Sequence, residues 1–87
     1  MPAYCYVYVL RSLKDSQFYV GLTRDLRVRL LAHNNGQVAS TKRRVPLELI
    51  YWEGCLNESD AAQRKKYLKT AWGKRYIKGR LKQYLTG

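Results

Sequence analysis

The stretch YCYVYVLRSLKDSQFYVG, from Tyr4 to Gly21, decides the fold. Tyr4, Tyr6, Tyr8 and Leu10 alternate with Cys5, Val7 and Val9, so the spacing predicts a strand with two different, largely buried faces. Leu13-Lys14-Asp15-Ser16 has the polar chemistry of a hairpin turn, and Gln17 to Gly21 returns as a second strand, antiparallel to the first. Tyr4 and Tyr6 read as ordinary core tyrosines with solvated hydroxyls.

Outward from this hairpin, Thr23 is the expected N-cap of a helix with Asp25 in its first turn. Leu26, Leu30 and Leu31 form its apolar stripe, and it ends near Asn34-Asn35-Gly36. The polar, basic segment 37–44 reads as a surface loop. After Pro46, a third strand is expected over 47–53, with Leu47, Leu49 and Tyr51 alternating against Ile50 and Trp52. A second helix runs from about Glu58, capped by Asn57 or Ser59, to Thr70. A third runs from about Lys74 to Leu85, with Ile77, Leu81 and Tyr84 inward and Lys74, Lys78 and Lys82 outward. The order β-β-α-β-α-α predicts an α+β fold: a three-stranded antiparallel sheet with flanking helices.

At 87 residues the chain is read as one domain, 1–87, with a compact core. An apolar content of 46%, with 13% aromatics, argues against intrinsic disorder despite the high charge. Cys5 and Cys55 lack the paired spacing of zinc ligands and read as buried thiols. With no membrane-length apolar run and no leader-like N-terminus, the sequence predicts a cytoplasmic protein that does not meet membranes. Seventeen Lys and Arg against six Asp and Glu give a net charge of +11. All six acids precede residue 61, and residues 61–87 carry nine basic side chains. So one-sided a field attracts polyanions, which makes nucleic acid the expected partner.

Four features stand in register. Tyr6-Val7-Tyr8 lies in the first strand, Tyr19-Val20-Gly21 closes the second, and Arg29 and His33 follow one helical turn apart. This pattern resembles the GIY-YIG nuclease superfamily, in particular its small single-domain branch related to the N-terminal nuclease domain of the bacterial excinuclease C subunit. The resemblance spans Tyr4 to Leu85. It implies a catalytic set of Tyr8, Tyr19, Arg29 and His33, with Tyr8 as general base or water-orienting group and Arg29 as a fork of donors to phosphate. Gly21 matches the motif glycine, expected to let substrate backbone approach closely. Lys42, Arg43 and Arg44 match a basic substrate-facing loop. DNA is implied as partner in preference to RNA, and Mg²⁺ or Mn²⁺ as cofactor.

One position departs from the pattern. Where the family carries a metal-binding Glu, in a stretch usually reading Arg-Glu-Lys-Tyr-Leu-Lys, this chain has Arg64-Lys65-Lys66-Tyr67-Leu68-Lys69. An ammonium supplies positive charge to phosphate but no ligand to a hard cation, so no metal ligand is assigned and Lys65 is read as a substrate-binding residue. Residue 65 is expected at the edge of the cleft that holds the other four. Two readings follow: a metal-dependent phosphodiester hydrolase impaired by Lys65, or a non-catalytic nucleic-acid-binding module of the same fold.

Overall fold

The computed structural model describes residues 3–87. The chain forms β1 (Cys5–Ser12), β2 (Phe18–Thr23), α1 (Leu26–Asn34), β3 (Leu47–Cys55), α2 (Glu58–Leu68), α3 (Ala71–Arg80) and α4 (Lys82–Thr86). The sheet order is β2-β1-β3, antiparallel throughout, with β1 in the centre. This is the predicted α+β order with its last helix divided in two. No described helix is long and apolar enough to cross a membrane.

The alternation of β1 sorts the core into two layers. Cys5, Val7 and Val9 pack with Val20, and from the helices with Ala61, Leu68 and Ile77, so α2 and α3 cover this face. Tyr8 and Leu10 pack with Leu47, and with Leu26 and Leu30 of α1, on the opposite face. Each Val or Leu so enclosed stabilises the fold by about 1.5–3 kcal/mol. Both β1 faces are covered, but unequally: Tyr4 and Tyr6, expected in the core, lie beyond the reach of α1, Tyr4 exposed and Tyr6 half-buried.

A bulge in β3 corrects the expected alternation of that strand. Leu49 pairs with Leu10 and Tyr51 with Val9, leaving Ile50 as an extra residue. Leu47 and Leu49 therefore join the α1 layer, Tyr51 joins the α2 layer, and Trp52 lands opposite Tyr8.

The caps also differ from expectation. Asp25 is the N-cap of α1 and accepts from Val28 N–H, while Thr23 Oγ1 accepts from Asp25 N–H. Leu31 is exposed, and the inner face of α1 is completed by Arg29 and His33 instead. Asn57 caps α2. Thr70 caps α3, which begins three residues earlier than predicted. Tyr84 is exposed beneath the Arg11 guanidinium, 5.6 Å from its ring centre. Cys5 is buried but Cys55, its partner in the register, is only half-buried, donating from Sγ to the Asn57 carbonyl.

Candidate active site

The site begins with Tyr8, which the central strand carries under α1. Gly21 is its cross-strand partner, and the space a Cβ would occupy at Gly21 is taken by the ring and hydroxyl of Tyr8. The close approach this glycine permits within the fold is that of Tyr8.

Tyr8 Oη lies 2.8 Å from His33 Nε2, and Arg29 Nε donates to the same oxygen over 3.4 Å. His33 Nδ1 is 2.7 Å from Thr41 Oγ1. The four side chains form one hydrogen-bonded chain, Arg29 to Tyr8 to His33 to Thr41, in which Tyr8, His33 and Thr41 are fully enclosed. Tyr19 closes it from outside, its ring edge-on to His33 at 5.1 Å and tilted against Tyr8 at 6.4 Å. α1 achieves this because positions 26, 29, 30 and 33 share one helical face.

Burial raises the Tyr8 phenol above its ordinary value, opposed by the Arg29 hydrogen bond. Burial, then the Arg29 charge, hold the His33 imidazole below its ordinary value. At neutral pH the pair is thus phenol and neutral imidazole. With the ring proton on Nδ1, donating to Thr41, Nε2 stands ready to accept from Tyr8.

The basic loop is divided in its roles. Thr41 anchors it to His33, and Lys42 and Arg43 beside Thr41 are exposed. Arg44 turns away, pairing with Asp15 at 3.2 Å and reaching the Phe18 carbonyl, so it ties the β1–β2 turn to the loop. Ser12, enclosed, reinforces that tie by donating to the Arg44 carbonyl at 2.6 Å. Thr41 is the site residue that sequence reasoning missed; a small hydroxyl in a basic loop carries no periodic signal.

Lys65 is not brought into this chain. Its helix is seated by Ala61 and Leu68 on the face opposite Tyr8, and among the described residues no hydrogen bond or ion pair joins Lys65 to the cluster. Arg64 leans toward β3, where it meets Glu53. Lys65, about 100° further round the helix, leans the other way, toward the edge strand β2 that also carries Tyr19 and Gly21. Any path from Lys65 to the cleft runs around that strand's edge.

A phenol relayed to an imidazole, with a guanidinium at the phenol oxygen, defines a site for acid–base chemistry beside an anion. Residues 4–78 match the family described as the GIY-YIG catalytic domain, and the chain belongs to that family, which is nuclease-type and generally uses divalent metal ions. Within it, the chain is similar to small single-domain UPF0213 proteins. It is 43% identical to one from Clostridium perfringens over 65 residues, 74% of this chain and 69% of that one. It is 39% identical to one from Staphylococcus saprophyticus over 66 residues, 75% of this chain and 79% of that one.

The residues gathered at the cleft do not fit a hard divalent cation. The donor set is two phenols, an imidazole bonded at both nitrogens and a guanidinium, whereas Mg²⁺ and Mn²⁺ select carboxylate oxygens. The six carboxylates are placed elsewhere: Asp15, Glu48, Glu53 and Glu58 in ion pairs, Asp25 at the α1 cap and Asp60 in the first turn of α2. Among the described residues no three His, Cys, Asp or Glu side chains cluster as ligands would.

Proposed function

We propose that this domain binds the phosphodiester backbone of nucleic acid, DNA in preference to RNA, in the cytoplasm, and that its hydrolytic step is severely impaired. The observation that supports this is an intact Arg29–Tyr8–His33 chain at a cleft to which, among the described residues, no carboxylate is joined, residue 65 being a lysine carried by the helix on the other side of the sheet. Arg29 offers its remaining N–H groups to a phosphate oxygen, and the exposed Lys42 and Arg43 extend the contact along the backbone. The acid–base route left to the chain is a two-proton relay. An attacking water gives its proton to the Tyr8 oxygen while the Tyr8 proton passes to His33 Nε2. A protonated phenol is a weak base for this, and no carboxylate at the cleft assists it.

The test restores the missing group. Lys65→Glu is expected to gain nicking of plasmid or branched DNA that needs Mg²⁺ or Mn²⁺ and stops with EDTA, while binding DNA more weakly without metal. Adding Arg29→Ala should lower the restored rate by about a hundredfold or more, the scale of losing one transition-state donor. If the Lys65 protein already cuts as fast as the Glu variant, the impaired-enzyme reading is wrong. If neither cuts but both bind, the domain is a binding module only.

A further inference from the structure

On the sheet face that carries Tyr8, α1 packs with Tyr8, Leu10, Leu47 and Leu49, and Tyr4, Tyr6 and Trp52 lie outside that cluster. This part of the face is an open aromatic floor. Trp52 is 52% exposed and Tyr4 45%, and Tyr6 lies half-buried between them. The Trp52 ring stands edge-on to Tyr6 at 5.5 Å, and Tyr4 is tilted against Tyr6 at 6.4 Å. Gly54 is opposite Tyr6 in the register, and a Cβ there would press on the Tyr6 ring at 3.3 Å, so the glycine lets that ring lie across β3. Together they line a shallow hollow of about 220 Å³.

Two features say what would cover this floor. It is continuous with the cleft: Trp52 is the register partner of Tyr8, and Tyr6 is two residues, about 7 Å, along the same strand. It is also free of negative charge. Among the described residues no acid lines it, because Glu53, the neighbour of Trp52, faces the other way and is held by Arg64. Exposed aromatics on a sheet face, next to cations that hold phosphate, are the combination that stacks unpaired bases.

We propose that Tyr4, Tyr6 and Trp52 form a stacking platform for unpaired bases of single-stranded DNA whose backbone passes Arg29 and Tyr8. This rests on the nucleic-acid reading of the cleft and adds the substrate class: DNA with a single-stranded flank beside the phosphate held there. Stacking makes the platform tolerant of base identity and leaves duplex bases unread.

The experiment uses the full chain in metal-free buffer with EDTA, so that cleavage plays no part. In a Trp72→Phe background Trp52 is the only tryptophan. Its emission should be quenched by an oligothymidylate strand and left unquenched by an abasic oligodeoxynucleotide of the same length, which carries the phosphates without the bases. Trp52→Ala and Tyr6→Ala should each weaken oligothymidylate binding about tenfold, the scale of one lost base stack, with duplex affinity little changed. Trp52→Phe should restore much of the loss, and circular dichroism reports that each variant is folded. Equal quenching by the abasic strand, or no loss in the alanine variants, overturns the proposal. So does a concentration-dependent Trp52 shift in the absence of DNA, which would assign the face to a second copy. Quenching by oligothymidylate with no nicking by Lys65→Glu would leave the platform standing and remove the hydrolase reading; nicking without quenching would do the reverse.

Discussion

A methyl group added at Gly21 would enter the space held by the Tyr8 ring and hydroxyl. That ring is enclosed, and its oxygen is fixed by His33 and Arg29, so it has no free direction in which to yield. Gly21→Ala is expected to cost about 1–3 kcal/mol, the scale of overpacking. In a domain of this size that lowers Tm by about 4–8 °C for each kcal/mol. Urea or thermal melts check this, and the loss should largely vanish in a Tyr8→Ala background, where the methyl has room. A second outcome concerns His33. Its folded-state pKa lies below the ordinary 6.5, so between the folded value and 6.5 the unfolded chain binds the extra proton and the folded chain does not. Stability conferred by the neutral imidazole is fully present above about 6.5 and falls as pH drops through that window. Melts from neutral to mildly acidic pH should show this loss, with a smaller slope in His33→Gln; an unchanged slope would mean that His33 is not the group responsible.

Helix α1 shows which parts of the site can be read from sequence. Its buried face contains two leucines and two polar residues, Arg29 and His33, at positions where apolar periodicity expects hydrophobes. Periodicity alone would not have singled these two out; what pointed to them in the sequence is the resemblance of Arg29 and His33, in register with Tyr8 and Tyr19, to the motifs of the family. The strands were legible from their alternation. What period two cannot say is whether a face is covered: Tyr4 and Tyr6 share a face with Tyr8, but α1 stops short of them. The side of the sheet chosen by α2 is equally invisible, because its apolar residues Ala61 and Leu68 would suit either face. Thr41 and Arg44 sit in a loop without period, and their partners His33 and Asp15 are set by chain closure alone. The early start of α3 was hidden by Trp72-Gly73, which reads as a break; Gly73 instead allows close packing on the end of α2, where a Cβ would meet the Tyr67 carbonyl and the Leu68 backbone.

The whole molecule is a small block of 36 × 29 × 20 Å whose acids are spent internally. Four arginines are held in ion pairs, and among the described residues none of the lysines is. Most of the +11 charge is therefore open to polyanions. A 36 Å face spans about ten base pairs at about 3.4 Å each, which places about five phosphates of one strand within reach. Log affinity for duplex DNA should then fall with log salt at a slope of about −4.5, roughly a 500-fold loss between about 50 and 200 mM. Fluorescence anisotropy across that range checks it, and a flat response would reduce the charge to a solubilising role.

The extra residue in β3 bears on how this chain is set beside shorter ones. Ile50 is accommodated between Leu49 and Tyr51 while both flanks keep their faces. With Ile50 omitted the strand would run regularly, Leu49 still meeting Leu10, Tyr51 still meeting Val9 and Trp52 still standing over Tyr8. A length difference can be absorbed at this one point without turning a side chain over, so a gap in an alignment through β3 belongs there, and a gap placed two or three residues later would exchange inside for outside for the residues between Ile50 and the gap.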